Sequence, residues 1–349
     1  MSTITYLYPI KQRISFTLIA EKHIKQLRDR GINVRVADIH NFRDEELSHV
    51  TLVHPILYPL ISSPKHYRRL YKHCEKLIGF DVADTDKLSP LAAYVVSTFD
   101  LVFVPAHFIK LVYLRSGALT RIEVLPHGVD DIFFREAREP KHEKIREIQR
   151  LKGTKFLFFL WHSGYRKGAD VVAEAFTRLA KENSNVYLIV KMCRNPDPFV
   201  QFLLANDRTI ILDEWLSEDD LVDLYDVCDV VLVPSRGGGF ELNALEAMAR
   251  GKITIVSDWG AFNDYAKNCV RVTSKGVVDL FIGDRRAKVI HSGKGANPDP
   301  QDLYEKMKYV LLMKSTLEKR FKKMSKFVKN NYTWNVVGEK LFNYIKPFL

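Results

Sequence analysis

Short apolar runs alternate with longer amphipathic segments along most of the chain. The run TITYLYP (3–9) has the length and β-branched content of a strand, and the segment ISFTLIAEKHIKQLRDRG repeats apolar residues at intervals of three and four, as an amphipathic helix does. Later runs that predict buried strands are NVRVADI, TLVHPILYPL, KLIGFDVAD, DLVFVPA and RIEVLPHG. This alternation is typical of a parallel sheet covered by helices, so the first half is predicted to be one α/β domain.

The same alternation starts again after a polar interruption. The stretch REAREPKHEKIREIQRLKG follows HGVDDIFF (127–134), is rich in charge and has little apolar periodicity, so we place the inter-domain boundary there. Beyond it, strands are predicted for KFLFFLWHS, VYLIVKM, TIILDEW, DVVLVP and ITIVSDW, and helices for ADVVAEAFTRLAKEN, EDDLVDLYDVC and FELNALEAMARG.

The predicted fold class is therefore α/β, with two Rossmann-like, doubly wound domains that face a central cleft. We expect an N-terminal domain over residues 1–135, a second domain over residues 136–330, and a C-terminal helix over residues 331–349 that packs back toward the first domain. In sheets of this kind, ligands bind beyond the carboxyl ends of the strands.

Composition and charge narrow the class of protein. The 349 residues exceed the size at which single cores usually stop growing, and 46% hydrophobic with 27% charged residues is ordinary globular composition. No apolar run is long enough to span a membrane, and the N-terminus lacks the arrangement of a signal peptide, so we expect a cytoplasmic protein. Scattered cysteines without metal spacing agree with a reducing compartment: Cys74, Cys193, Cys228 and Cys269.

The formal net charge of +11 favours polyanions, anionic membrane surfaces or phosphorylated substrates, without choosing among them. Basic residues cluster in SPKHYRRLYKHCEK (63–76) and KRFKKMSKFVK (319–329), and each cluster is either a peripheral contact with an anionic membrane or a solvated helix face. No nucleic acid partner is expected, because aromatic platforms and a groove-entering helix are not evident. A P-loop kinase and a dinucleotide dehydrogenase are disfavoured, since neither GxxxxGK[ST] nor an early GxGxxG occurs.

The stretch PSRGGGFELNALEAMARG (234–251) is the strongest candidate for a ligand site. A predicted strand breaks into glycines, among them Gly238 and Gly239, and a helix follows, so backbone N–H groups can approach a phosphate or a sugar hydroxyl. Glu246 lies far enough into that helix to accept hydrogen bonds from a diol. Glu241, in the first turn, is either a ligand contact or a favourable charge at the helix N-terminus.

Together with ITIVSDWGAFNDY, LPHGVDDIFF and GYRKGAD, this stretch resembles the retaining GT-B glycosyltransferases of the GT4 type. Those enzymes have an N-terminal Rossmann-like acceptor domain and a C-terminal one for a nucleotide-diphosphate sugar. The resemblance implies a retaining, hexosyltransferase-like enzyme that moves a sugar from such a donor to an acceptor hydroxyl, without a cofactor or a metal. We expect the departing phosphate oxygen to take the acceptor proton, because no pair of carboxylates stands out as nucleophile and acid.

The resemblance also assigns roles on the donor side. Glu246 matches the second glutamate of the family's paired motif and is expected to bind the ribose hydroxyls. Lys167 matches the lysine that contacts the diphosphate, and the partner arginine's usual position falls on His162, so Arg166 is the nearest candidate. Positive charge at a helix start opposes the helix dipole, which favours a bound anion there. Backbone amides expected to face the donor are those of Phe240, Glu241, Leu242 and Asn243.

The chain departs from the family pattern at one glutamate. The first glutamate of the motif, placed against the donor sugar, falls on Gly238, and Glu241 stands where the family has a glycine. Either the carboxylate has moved three residues along the loop or it is absent. An absent carboxylate favours the alternative function, a catalytically silent GT-B-like protein that binds a nucleotide or a glycan.

Candidates on the acceptor side follow predicted strands of the first domain. Asp84 and Asp86, in GFDVADTDKLSP after a strand, are either contacts to the acceptor or the transferred sugar, or part of a surface turn. His54 is a further acceptor-side candidate, although a lone histidine at a strand end is more often structural. His127, where the family commonly has asparagine, is expected to be positional. In place of the family's first glycine-rich loop stands YPIKQRIS, which predicts narrower or more cationic acceptor access through Lys11 and Arg13.

Overall fold

The computed structural model describes residues 3–12, 14–160, 163–192, 197–280 and 285–349. The elements of the first half are β1 (Thr3–Tyr8), α1 (Ser15–Arg28), β2 (Asn33–Asp38), β3 (Val50–Val53), α2 (Leu57–Ser62), α3 (Pro64–His73), β4 (Lys76–Phe80), α4 (Pro90–Ser97), β5 (Leu101–Val104), α5 (His107–Arg115), β6 (Arg121–Val124) and α6 (Glu143–Arg150). The remaining elements are β7 (Thr154–Leu160), α7 (Gly164–Lys167), α8 (Ala169–Glu182), β8 (Val186–Met192), α9 (Val200–Leu204), β9 (Thr209–Leu212), α10 (Glu218–Val227), β10 (Val230–Val233), α11 (Leu242–Ala249), β11 (Ile253–Ser257), α12 (Phe262–Tyr265), β12 (Val270–Val272), β13 (Ser274–Asp279), α13 (Arg285–Ile290), β14 (Lys294–Pro298), α14 (Pro300–Asn331) and α15 (Trp334–Ile345).

The chain forms two compact units. The first comprises Met1–Gly128, Asp284–Gly293 and Tyr332–Leu349, and the second comprises Val129–Gly283 and Lys294–Asn331. These bounds differ from the predicted domain ranges, because the first unit ends before residue 135 and includes α13 from late in the sequence. Ala287 and Ile290 of α13 are fully buried, and the helix packs against α2 and α4, which explains its place in the first unit.

The first unit is built on a parallel six-stranded sheet with the order β2-β1-β3-β4-β5-β6. The predicted strand TLVHPILYPL is wrong in its second half, since β3 ends at Val53 and α2 follows. Both elements are buried, and a short apolar run does not distinguish a buried strand from a buried helix. Helix α15 packs against α1, where Gly338 lies directly against the side chain of Gln26.

The second unit has a parallel six-stranded sheet with the order β12-β11-β10-β7-β8-β9. The chain builds the sheet outward from β7 to β9 and then returns to β10 on the other side of β7, so the strand order reverses between β7 and β10. Ligands of doubly wound sheets bind at such a reversal, beyond the carboxyl ends of the two strands. The charged stretch predicted to be unpatterned contains α6, which buries Ile145 and Ile148.

The second unit also contains a hairpin and a long helix outside its main sheet. Strands β13 and β14 form an antiparallel hairpin outside the main sheet. Helix α14 buries an apolar stripe, while the basic residues of 319–329 lie mostly on its exposed face; the stripe includes Leu317, Phe321, Met324 and Val328.

Within the described ranges, no helix is long and apolar enough to cross a membrane. Three cysteines are free thiols (Cys74, Cys228 and Cys269), and Cys193 lies outside the described residues.

Candidate functional site

The loops that follow β7 and β10 meet at the strand reversal of the second unit. Gly168, between α7 and α8, has a φ of 77°, and a Cβ atom there would collide with the carbonyl oxygen of Pro234. The backbone N–H of Arg236 donates to the carbonyl oxygen of Arg166 at 2.7 Å. A glycine at 168 is therefore what allows the Arg166–Lys167 segment to lie against the glycine-rich loop.

Arg236 fastens that loop to the start of α8. Its guanidinium donates to both carboxylate oxygens of Asp170 at 2.6 and 2.7 Å and to the carbonyl oxygen of Tyr165 at 2.6 Å. It also lies 4.0 Å from the centre of the Tyr165 ring. A bidentate pair fixes orientation as well as distance. Arg236 was not predicted as a functional residue, and nothing in its sequence context distinguishes it from a loop cation.

Glu241 does not cap α11, although it occupies the N-cap position of that helix. Its carboxylate turns back instead, where Nζ of Lys167 donates to Oε2 and Nη1 of Arg166 lies 3.8 Å from Oε1. Only 6% of Glu241 is exposed. The two cations at the helix start, which predicted a bound anion, therefore already face one carboxylate of the chain itself.

Gly238 makes room for this carboxylate. Its φ is 155°, and a Cβ atom there would lie 2.7 Å from Oε1 of Glu241 and 3.2 Å from Nη1 of Arg166. Real side-chain atoms do not approach so closely. A side chain at 238 would therefore push the carboxylate of Glu241 out of its observed place.

A small concave pocket, of about 10 Å³, lies beside this carboxylate. Its lining comes from the loops after β10 and β11: Ser235, Gly237, Gly238, Glu241, Trp259, Gly260, Ala261 and Phe262. Oε1 of Glu241 and Oγ of Ser235 are both buried, and neither has a hydrogen-bond partner among the described residues. Buried polar atoms are rarely left unsatisfied in proteins, and a pocket of this size has room for a water molecule beside the pair.

Glu246 lies half-buried on α11, one and a half turns from Glu241. The hydroxyl of Tyr225 donates to its Oε2 at 2.7 Å. Burial raises the pKa of Glu246 to about 7, the bond from Tyr225 acts against this rise, and the nearby charges of Asp130 and Glu218 add to it. Perturbed carboxyl groups of this kind are frequent at functional sites.

The other residues predicted on the donor side lie around the same loop. Gly239 is buried, and the ring of Phe240 stacks on Tyr265 with centroids 4.4 Å apart. The hydroxyl of Tyr265 donates to the carbonyl oxygen of Glu241 at 3.0 Å. Leu242 and Asn243 open α11 and are half-buried. His162 lies outside the described residues.

The acceptor-side candidates belong to the first unit. Asp84 and Asp86 are half-buried in the loop after β4, and Oδ2 of Asp84 lies 4.0 Å from Nε2 of the buried His291. The backbone of this loop is bonded to the end of α13 and to the residue pair after it, as in the 2.8 Å bond from the N–H of Ser89 to the carbonyl oxygen of Ile290 and the 3.1 Å bond from the N–H of Ser292 to the carbonyl oxygen of Lys87. The loop is therefore tied to α13, and His291 was missed because it is distant in sequence.

His54 lies in the core of the first unit. Only 2% of it is exposed, and the hydroxyl of Tyr6 lies 3.2 Å from its Nδ1 and 3.0 Å from Nδ1 of His23. Burial lowers the pKa of His54 to about 3, and desolvation lowers that of the half-exposed His127 to about 3 as well. This placement supports a structural role for both imidazoles. Lys11 is exposed near the end of β1, whereas Arg13 lies outside the described residues.

Asp81, directly after β4, accepts hydrogen bonds from the start of α2. Its Oδ2 accepts from the N–H groups of Ile56 and Leu57 at 2.8 and 2.6 Å, and its Oδ1 accepts from Val82. Free N–H groups at a helix start need such acceptors. Across the described part of the chain, no group of three His, Cys, Asp or Glu side chains is arranged to hold a metal ion.

Comparisons with known proteins agree with this architecture. Residues 154–281 match the family described as Glycosyl transferases group 1. The chain is 25% identical to Uncharacterized protein 356 of Sulfolobus islandicus rod-shaped virus 1, with 99% of each chain covered. It is 26% identical to Putative glycosyltransferase 45 of Sulfolobus islandicus filamentous virus, with 81% of this chain and 76% of the other covered.

The fold is also similar to the crystal structure of HepE from Anabaena in complex with UDP and glucose. The TM-score is 0.74 at 13% identity, and the alignment covers 99% of this chain and 100% of that one. The predicted fold of two Rossmann-like α/β domains is thereby confirmed. Residues 154–281 are thus similar to the group 1 glycosyl transferases, within a chain whose fold is that of GT-B structures.

Proposed function

We propose that this protein is a retaining glycosyltransferase of the GT4 type, which transfers a hexose from a nucleotide-diphosphate sugar to an acceptor hydroxyl. The observation that supports this most directly is the cluster of Arg166, Lys167 and Glu241 at the strand reversal, with Glu246 on the helix that follows. Cations, a helix N-terminus and a diol-binding carboxylate are together what a nucleoside diphosphate needs. The structural neighbour from Anabaena binds UDP and glucose.

In this proposal the donor lies along α11. Glu246 accepts hydrogen bonds from both ribose hydroxyls, and the amides of Leu242 and Asn243 at the helix start face the diphosphate. Lys167 and Arg166 lie on the other side of the same loop. As the bond from the anomeric carbon to the diphosphate oxygen breaks, negative charge grows on that oxygen, and these fixed cations stabilise it without reorganising.

The acceptor hydroxyl attacks on the face that the diphosphate leaves, so the anomeric configuration is retained. Its proton passes to the departing phosphate oxygen, and the reaction needs no cofactor besides the donor. Asp84, near His291 in the first unit, remains the candidate for contact with the acceptor or the transferred sugar, together with Asp86.

A peripheral membrane contact on the cytoplasmic side forms part of the proposal. Lys65, Arg68 and Lys72 are exposed along one face of α3, and Tyr71 next to them is 69% exposed. Tyrosines beside lysines and arginines suit the surface of an anionic membrane.

The membrane contact is tested by co-sedimentation of the protein with vesicles of phosphatidylcholine alone and with vesicles that also contain the anionic lipid phosphatidylglycerol. Replacing the three cations with alanine should reduce binding to the anionic vesicles, whereas the same loss of charge at Lys319, Lys322 and Lys326 on α14 should not.

The proposed activity is tested by NMR with a panel of UDP-, GDP- and ADP-sugars. Saturation transfer to a sugar nucleotide reports binding, and free nucleoside diphosphate reports turnover. Binding with release of diphosphate supports the transferase and identifies its donor. Binding without release, even with candidate acceptors added, supports the silent binder instead. No binding to any donor contradicts the transferase.

A further inference from the structure

A segment from late in the sequence lies along the loop after β4 in the first unit. Residues 287–293, which we call the return segment, begin within α13 and end where the chain leaves this unit. Ala287 and Ile290 are fully buried, and the helix packs against α2 and α4. Burial of these apolar side chains stabilises the segment in one place. The residues that follow α13 therefore have fixed positions beside the loop.

The backbone of the return segment pairs with the backbone of the loop. The N–H groups of Ser292 and Gly293 both donate to the carbonyl oxygen of Lys87, at 3.1 and 3.2 Å. Leu88 and His291 form an isolated antiparallel bridge between the same two stretches. Paired backbone groups on both stretches satisfy one another. The loop that carries the acceptor-side aspartates is thus held by residues about 200 positions later in the chain.

The polar edge of the His291 ring faces Asp84. Its Nδ1 accepts a long hydrogen bond of 3.5 Å from the backbone N–H of Asp84, and its Nε2 lies 4.0 Å from Oδ2 of the same residue. A neutral imidazole that accepts at Nδ1 carries its proton on Nε2, the nitrogen nearer to the carboxylate. Only 1% of the histidine side chain is exposed, and the ring of Tyr58 lies 6.0 Å away. One buried histidine therefore contacts both the backbone and the carboxylate of Asp84.

Gly293 lies directly against the second aspartate. A Cβ atom at 293 would collide with Oδ1 of Asp86 and would lie 2.5 Å from the backbone nitrogen of Lys87. The φ of Gly293 is outside the left-handed region, so its backbone conformation does not itself require glycine. What requires a glycine here is the close approach of the Asp86 carboxylate. The return segment thus constrains both aspartates of the loop.

We infer that the return segment positions Asp84 and Asp86 for contact with the acceptor. His291 is the positioning residue for Asp84, and Gly293 leaves the space that Asp86 occupies. The inference rests on the proposed function, because it takes these two carboxylates as acceptors of hydrogen bonds from the hydroxyls of the acceptor molecule. His291 does not itself touch the acceptor, and it acts through Asp84.

The test measures release of UDP from UDP-glucose by the full chain, with methyl α-glucoside or water as the acceptor, or release from whichever donor the NMR panel identifies. His291→Phe keeps an aromatic ring but no ring nitrogen, and turnover at saturating donor should fall about tenfold, as expected when a contacting group is misplaced. His291→Gln has an amide that can accept from the N–H and donate to the carboxylate of Asp84, so its turnover should stay within about threefold of wild type.

Two controls separate positioning from a loss of folding. The affinity for UDP, measured by calorimetry, should not change in either His291 variant, because the residues proposed to bind UDP belong to the second unit. Lys288→Gln, at an exposed position of α13, should leave both affinity and turnover unchanged. Gly293→Ala keeps His291 and displaces Asp86, so it should lower turnover while the affinity for UDP stays that of wild type.

A double variant tests whether His291 acts through Asp84. Adding His291→Phe to Asp84→Asn should lower turnover no further, because the group that the histidine positions is already lost. Losses that multiply would overturn the inference, and so would wild-type turnover in folded His291→Phe. In either case the transferase stands.

The contact itself is checked by NMR of protein labelled with ¹⁵N-histidine, in which His291→Gln assigns the signal of His291. At about pH 8.5, well above the ordinary pKa of histidine, the ring should carry its proton on Nε2 and none on Nδ1. A proton on Nδ1 would show that the N–H of Asp84 does not donate to it and would overturn the inference. If wild-type protein releases nucleoside diphosphate from no donor of the panel, the proposed function fails and the acceptor role of this loop fails with it.

Discussion

The hydroxyl of Tyr225 on α10 donates a 2.7 Å hydrogen bond to the carboxylate of Glu246 on α11. The same hydroxyl lies 3.3 Å from the carbonyl oxygen of Asn243, so one tyrosine holds both the start of α11 and the carboxylate proposed to bind ribose. Burial raises the pKa of Glu246 to about 7, and the bond from Tyr225 limits the rise because it stabilises the ionised form.

Binding of the donor should therefore depend on pH near neutrality. An ionised carboxylate accepts from both ribose hydroxyls, whereas a protonated one has lost an acceptor, so affinity for UDP-glucose should fall as pH falls through about 7. In Tyr225→Phe the pKa rises further and the midpoint of this change moves to higher pH. Calorimetric titration with UDP-glucose at several pH values measures the midpoint of this change in affinity. Tyr309→Phe, on the exposed face of α14, should keep the wild-type midpoint, and a flat profile in wild-type protein would contradict the assignment of Glu246.

Two glycines of the second unit have nearly the same φ but different surroundings. Gly168 has a φ of 77° and Gly276 a φ of 78°, but only Gly168 faces a backbone carbonyl, that of Pro234, where a Cβ atom would be. Gly276→Ala should cost about 1 kcal/mol, the cost of a left-handed alanine. Gly168→Ala should cost about 2 kcal/mol more, because the carbonyl must move. Urea denaturation measures both, and equal losses would show that the close approach at Gly168 is not a constraint.

Most strands of the two sheets could be predicted from the sequence because buried parallel strands are continuous apolar runs. The run TLVHPILYPL shows the limit of this rule, since α2 is as apolar as β3. The hairpin of β13 and β14 and helix α13 were not predicted at all. Nothing in local periodicity indicates that α13, late in the chain, returns to pack on α2 and α4 of the first unit.

The candidate site could be predicted in part. The glycine-rich turn and the spacing of Glu241 and Glu246 involve only neighbouring residues, so they can be predicted from the sequence. The contact between Lys167 and Glu241 joins residues 74 positions apart, and only the meeting of the β7 and β10 loops brings them together. Ser235 and Arg236 were passed over for the same reason, because a serine and an arginine in a loop acquire a role only from distant partners.

Acid should destabilise the first unit through His23, His54 and His127. Burial lowers the pKa of His54 and of His127 to about 3 and that of His23 well below its ordinary value of 6.5. The unfolded chain then binds more protons than the folded one, so this part of the stability is lost as pH falls from about 6.5 toward 3. Asp81 works in the opposite direction over part of this range, because burial raises its pKa to about 7.

The histidine contribution is isolated by comparing wild-type protein with His23→Gln, which keeps a neutral polar side chain. The urea midpoint of the variant should fall less steeply with acid than that of wild-type protein, while the Asp81 effect is common to both. Fluorescence of Trp334, whose ring centre lies 5.9 Å from that of His23, reports the unfolding of this unit once the other tryptophans are replaced. Identical pH profiles for the two proteins would show that His23 is not protonated on unfolding in this range.

The last prediction concerns the anchor of the glycine-rich loop. Arg236 donates to two oxygens of Asp170 and to the carbonyl oxygen of Tyr165, and a lysine cannot reproduce this planar fork. Arg236→Lys should therefore cost about 2 kcal/mol, roughly 4–8 °C in the melting temperature of a unit of this size. Arg178→Lys is the control, because Arg178 also lies 4.0 Å from the centre of a tyrosine ring, that of Tyr304, but without a carboxylate partner in the same fork.

The two substitutions should also differ in ligand binding. Since Arg236 holds the loop that includes Ser235 and Gly238, Arg236→Lys should weaken UDP-glucose binding even at temperatures where the protein is fully folded, and Arg178→Lys should not. Differential scanning calorimetry gives the melting temperatures and isothermal titration gives the affinities. If Arg236→Lys melted and bound like Arg178→Lys, the stacking on Tyr165 would be the whole contribution of this arginine and the fork to Asp170 would contribute nothing.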